Sequence, residues 1–262
     1  MTEGRTIASG PASESRGGGG GTSAVLPWAV AFAVAAVAVA GVAADPAPQP
    51  SRRVERRIDG FRVLVDDRLL PGGSDEEVGG TAIDFLAARL RDIRIVVPLE
   101  KLEHLRKVTI VLDASCGTLQ SMQYHPSADW LADHGYPRDL EKCVHLPCAA
   151  DVATRRNVNE QPWCILHELA HAYHDQVLGF DEPRIREAWE RYGAGGKGDR
   201  TLLVDGSRGR HYALTNQMEF FAEMSEAYFG SNDFQPFNRA ELESDHPEIH
   251  ALLVELWGSI RQ

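Results

Sequence analysis

The spacing of apolar positions changes character along the chain, and each change predicts an element. Phe61-Arg62-Val63-Leu64-Val65 alternates, which predicts a strand with one buried face. Between Thr81 and Ile95 the apolar residues Ile83, Leu86, Leu90 and Ile93 recur at helical spacing. Leu102 to Arg106 reads as a short helical turn. Val108-Thr109-Ile110-Val111-Leu112 is a β-branched run and predicts a central strand. Ser121 to Tyr136 is polar and aromatic and reads as loop and short helix, and Val144-His145-Leu146 as a strand. From Trp163 to Leu178 no glycine or proline interrupts an apolar stretch. Asn159 is its expected N-cap, Pro162 sits where a first-turn proline is tolerated, and Gly179 is its stop signal. Charged residues dominate a helix over Glu182–Tyr192. Asp205-Gly206, between Thr201–Val204 and His211–Leu214, predicts a hairpin. Asn216–Phe229, stopped by Gly230, and Pro247–Trp257 are two further helices. No internal repeat is present. The fold class predicted is α+β.

The first fifty residues follow a different pattern. Residues 1–22 are rich in glycine and serine and are expected to be a disordered tail. Ala24 to Ala44 is an almost unbroken apolar run without a charge, long enough to span a bilayer, so 23–44 is read as a signal peptide or membrane anchor. Val42-Ala43-Ala44 resembles a small-residue cleavage site. Arg52, Arg53, Arg56 and Arg57 follow it, and the positive-inside rule would keep that flank in the cytoplasm. The cleavage site tips the expectation to export, secreted or anchored, outside the cytoplasm. The proline-rich stretch 45–57 is expected to be an extended linker, leaving 58–262 as the folded domain.

Charge and cysteine content narrow the classes. The 262 residues carry a formal net charge of −11, which leaves no broad basic face for a nucleic acid. The four cysteines, Cys116, Cys143, Cys148 and Cys164, lack paired C-x-x-C spacing, which argues against a separate structural zinc site. Two disulfides, in any of three pairings, and four free thiols are both compatible with the sequence.

The chemistry is concentrated in His167-Glu168-Leu169-Ala170-His171. On a helix, residues four apart share a face, so His167 and His171 present two imidazoles to one point, as a zinc ion requires. Glu168, beside the first of them, is placed to act as general base on a zinc-bound water. A catalytic site needs a third protein ligand and an open position. A glycine three residues after the second histidine, and a third histidine six after, would make one known arrangement, but those positions hold His174 and Val177. Glu219 and Glu223 lie one turn apart on the helix after Asn216. One of them can bind zinc while the other holds a ligand histidine by its far ring nitrogen. Each also has an ordinary explanation: Asn216 to Glu219 matches a capping box, and Glu223 could lie on a solvated face.

Residues 160–230 resemble a known family. The His167–His171 helix and the later run Tyr212-Ala213-Leu214-Thr215-Asn216-Gln217-Met218-Glu219-Phe220-Phe221-Ala222-Glu223 look like the catalytic domain of the anthrax lethal factor family of zinc peptidases, which are gluzincins. The rest of the chain carries no motif that aligns. The resemblance implies a zincin-like fold, with a sheet-and-helix lobe up to about residue 160, a helical lobe after it, and one zinc in the cleft between. It implies Glu219 as third ligand, Tyr212 facing the metal and assisting catalysis, and Glu223 as an outer carboxylate. The activity implied is hydrolysis of a peptide or protein substrate. Two other functions fit the same motif. One is an inactive zinc-binding interaction module, for which His174 or His211 would have to supply a fourth ligand. The other is a zinc hydrolase acting on a non-peptide bond.

Overall fold

The structure, a computed structural model, describes residues 48–260. The readings for 1–22 and 23–44, and the first residues of 45–57, fall outside that range. No helix among the described residues is long and apolar enough to cross a membrane.

Two antiparallel strands, β1 (Arg53–Ile58) and β2 (Phe61–Asp66), open the fold. They are joined by Asp59-Gly60, both at positive φ, the backbone that a two-residue hairpin loop demands. The hairpin begins inside the stretch expected to be linker. Val54 and Ile58 pack on the core, while Glu55, Arg56 and Arg57 face solvent, as suits an edge strand. Helix α1 (Glu76–Val96) and helix α2 (Leu99–Leu105) then cross over to β3 (Ile110–Leu112), which lies parallel to β2. α1 buries Ala82, Phe85, Leu86, Leu90 and Ile93, the stripe that its periodicity predicts.

The sheet is completed by β4 (Gln123–Tyr124) and β5 (Val144–Leu146), with the short helix α3 (Ala128–Asp133) between them. β5 is parallel to β3 and β4 antiparallel to β5, giving the order β1-β2-β3-β5-β4. β4 is therefore an edge strand. The arrangement is mixed α/β, and one buried cluster from Phe61 to Trp257 joins sheet and helices instead of dividing near residue 160.

The rest is helical. After α4 (Arg155–Asn159) comes α5 (Cys164–Tyr173), whose last turn, His174–Leu178, is wound as a wider π-helix before Gly179 at φ 84°. Asn159 does not cap α5. It ends α4, which Thr154 caps, and Trp163 holds the N-cap position of α5. α6 (Pro183–Ala194), α7 (Gln217–Phe229), α8 (Arg239–Asp245) and α9 (Pro247–Trp257) follow. The predicted hairpin is reduced to two-residue strands, β6 (Thr201–Leu202) and β7 (Arg208–Gly209), and Tyr212–Leu214 is a 3-10 turn instead of a strand. α5 packs along α7 and lies under β4. Where α7 ends, Gly230 faces the start of α5 so closely that a Cβ there would overlap the Trp163 indole.

Candidate metal centre

α5 carries His167, Glu168 and His171, and α7 carries Glu219, Glu223 and Glu226 toward them. The start of α7 is firmly set, because Asn216 Oδ1 accepts from the amides of Met218 and Glu219, both at 2.9 Å. Glu219 thus occupies the first turn with its backbone capped, and its carboxylate is turned to the histidines. His167 Nε2 and His171 Nε2 lie 3.0 and 3.3 Å from the same oxygen, Glu219 Oε2. These three residues bring one ligand atom each within 4.8 Å of one another; His171 and Glu219 are buried and His167 nearly so.

The surroundings bias each group. The other ring nitrogen of His167, Nδ1, lies 2.8 Å from Glu226 Oε1 and 3.6 Å from Glu223 Oε1. The carboxylate that holds the far ring nitrogen is Glu226. Glu223, the residue expected there, sits between the His167 and His211 rings, 3.6 Å from Nδ1 of each. The sequence did carry a signal for Glu226: it lies seven residues after Glu219, on the same helical face. Burial alone would lower the His167 pKa, but the bonds to Glu219 and Glu226 hold it well above the ordinary value. Burial would raise the Glu219 pKa, and His171 and His167 outweigh it and hold the carboxyl well below the usual range.

Glu168 is buried, and its Oε2 accepts a 2.8 Å bond from the amide of Tyr124 on β4. Burial first, and then the nearby Glu219 charge, raise its pKa, which makes it a stronger base once ionised. Tyr212 is 36% exposed, its ring centroid 6.4 Å from that of His167. Burial and Glu219 push its pKa up, so the phenol keeps its proton at neutral pH and can donate it in a hydrogen bond.

His174 and His211 are both fully buried and stand outside the ligand group. The His174 ring packs edge-on to Phe180 and Phe221, and burial with His171 nearby lowers its pKa to about 3. The His211 ring stacks on Phe234. All four cysteines are free.

A second group of ligand-type side chains lies in the sheet and has no motif to announce it. Asp113, Cys116 and His145 bring one ligand atom each within 4.8 Å, all fully buried. His145 bridges Asp113 Oδ2 at 2.9 Å and His125 Nε2 at 3.1 Å, and Arg53 donates two bonds to Asp113, at 2.8 and 2.7 Å. Burial, with Asp113 nearby, pushes the Cys116 thiol up to about 11.

Compared with protein-family models, with curated proteins and with solved structures, the chain matches none.

Proposed function

We propose that the chain is a gluzincin-type zinc metallopeptidase with a zincin-like fold, holding one zinc through His167, His171 and Glu219 and cleaving peptide or protein substrates. The observation that carries this reading is the convergence of two imidazole Nε2 atoms on one carboxylate oxygen. The donor set fits zinc: two nitrogens and one oxygen, with His167 held by an outer carboxylate through its other nitrogen, as metal-bound histidines are. Among the described residues the group has three members, and the partly exposed Tyr212 ring lies 6.4 Å from that of His167. That favours an open site over a closed structural one.

When bound there, zinc would polarise the scissile carbonyl and acidify the attacking water. Glu168 takes the proton of that water and delivers it to the leaving amine. The Tyr124 amide occupies Oε2 of Glu168 and so fixes the carboxylate plane for that transfer. Tyr212 donates a hydrogen bond to the carbonyl oxygen as it gains charge, a bond worth more in the transition state than before it.

Incubating the purified chain with a diverse peptide library, with and without a chelator, tests the activity and its metal dependence. Glu168→Gln should keep one zinc per chain and lower turnover by about 10²–10⁴-fold, the contribution of a general base. Turnover at the parental rate in that variant sinks the mechanism. The length and apolarity of Ala24–Ala44 support placing the domain outside the cytoplasm, secreted or anchored. Protease treatment of intact cells checks this, and complete protection of the domain refutes it.

A further inference from the structure

The turn that carries Tyr212 is held from behind by a buried residue outside the ligand group, whose Nδ1 also lies 3.6 Å from Glu223 Oε2. His211 precedes the 3-10 turn Tyr212–Leu214 and is its N-cap: Ala213 N donates to His211 Nδ1 at 3.1 Å. The ring is itself immobilised. It stacks on Phe234 with centroids 4.8 Å apart and an interplanar angle of 21°, and it meets Tyr192 edge-on at 5.8 Å. Phe234 is fixed in turn, because Leu203 and Phe234 form a β-bridge flanked by bonds from Val204 N to Asp233 O and from Gln235 N to Leu202 O. The backbone of His211 adds a 2.8 Å bond to Gly198 O. Burial keeps the imidazole neutral, with its pKa lowered to about 3, so Nδ1 has a lone pair to offer and the proton sits on Nε2.

Tyr212 needs such support. Its ring is more than a third exposed, so packing restrains it on one side only, and the backbone of the turn decides where the phenol points. We propose that His211 is a positioning residue: by capping the turn through Nδ1, it holds the Tyr212 phenol on the His167 side of the metal centre. The inference rests on the catalytic reading of Tyr212 given above. The alternative is a histidine kept only as an aromatic filler between Phe234 and Tyr192. The two roles need different atoms, a ring nitrogen in one case and a flat ring in the other.

Two substitutions in the full chain separate them. His211→Phe keeps the ring and removes the acceptor. His211→Asn loses most of the ring and keeps an acceptor, since asparagine caps the amide two residues on. The first readout needs no activity. With ¹³C-labelled tyrosine, the chain gives signals from six tyrosines, and the one lost in Tyr212→Phe belongs to Tyr212. That signal should shift and broaden in His211→Phe and stay in place in His211→Asn. The second readout is kinetic. His211→Phe should lower kcat by about 10- to 100-fold, the cost of misplacing a group by roughly 1 Å, with KM and zinc content near the parent's. His211→Asn should keep most of the parental kcat. In the Tyr212→Phe background, His211→Phe should have no further effect. An unmoved Tyr212 signal in His211→Phe, or losses in His211→Asn as large as in His211→Phe, would assign His211 to packing and overturn the proposal. A chain that cleaves no peptide overturns the function proposed above, while the tyrosine signal still decides the role of His211.

Discussion

Among the described residues, ligand-type side chains gather in the sheet, at Asp113, Cys116 and His145, and between α5 and α7, in two groups that share His167, and the two places solve the same electrostatic problem differently. In the sheet, Asp113 is neutralised by the chain itself. Arg53 reaches across from β1 with two bonds, His145 adds a third, and these hold the Asp113 pKa down against the burial that would raise it. Between α5 and α7, the ion pairs that Glu219, Glu223 and Glu226 make among the described residues are all with histidine rings. No guanidinium or ammonium takes part. Three buried carboxyl groups face histidine rings there; burial raises the pKa of Glu223 and Glu226, and the bonds to Glu219 and Glu226 raise that of His167. A divalent cation would stabilise such a group in its ionised form, and on the reading above zinc is that cation. Histidine and carboxylate content does not separate the two clusters. The presence or absence of a resident cation does.

The contrast can be broken most decisively at Glu219. Zinc affinity of Glu219→Ala should fall by more than about 100-fold, beyond what loss of an outer-shell partner costs. Zinc titration measures it, and Asp113→Asn in the same assay should bind like the parent. Equal zinc loss in both variants would make the sheet cluster a metal site too. The next effect belongs to the other cluster. Arg53→Met leaves the buried Asp113 carboxylate without its main partner, and the folded state should lose about 3–5 kcal/mol, read from urea unfolding, with zinc content unchanged.

A smaller effect sharpens the first cluster from within. Glu226→Gln should weaken zinc binding by about 10–100-fold, and Glu223→Gln by less, because their distances to His167 Nδ1 are 2.8 and 3.6 Å. The reverse order would return the outer role to Glu223. The smallest effect is on acid stability. The folded pKa of Asp113 is depressed, so its contribution is complete above the unfolded value of about 3.9 and disappears as pH falls through the lower folded value. Unfolding free energies followed down from pH 6 should therefore fall more steeply, in the acid range, in the parent than in Asp113→Asn. Parallel curves would mean that Asp113 has no depressed pKa.

What could be read from the chain alone followed how local the determining interactions are. α9 has the bounds predicted, and α7 lacks only its cap residue, Asn216, because caps and apolar periodicity are settled within a few residues. His167 and His171 share a face for the same reason. Glu219 needed the family resemblance to rise above its capping-box explanation. The preference of His167 for Glu226 over Glu223 depends on how α5 crosses α7 and on which way one ring turns, and neither is encoded in spacing. The pairing of Arg53 with Asp113 spans sixty residues and was hidden further by reading Arg53 as linker. Asp59-Gly60 is also a local hairpin signal, and its flanks pair residue for residue. Four ordinary-looking residues after a turn resemble a strand, so the sequence reads His211–Leu214 as one, whereas Tyr212 opens a 3-10 turn. The buried imidazole that caps its 3-10 turn acts only once the chain has folded.

The meeting of Gly230 with the Trp163 indole has a consequence for how this chain tolerates change. α5 brings both histidines and α7 brings the glutamate, so the gap between those helices is the tolerance of the whole assembly. At the end of α7, well outside the ligand group, a hydrogen atom is all that fits. Any larger group must displace the indole or the backbone that carries position 230, and a shift of α5 against α7 would change the His167–Glu219 distance. A survey of inactivating missense changes should therefore find position 230 among its hits. It would look like a surface loop glycine with no chemistry of its own, and behave like a lesion in the candidate metal centre.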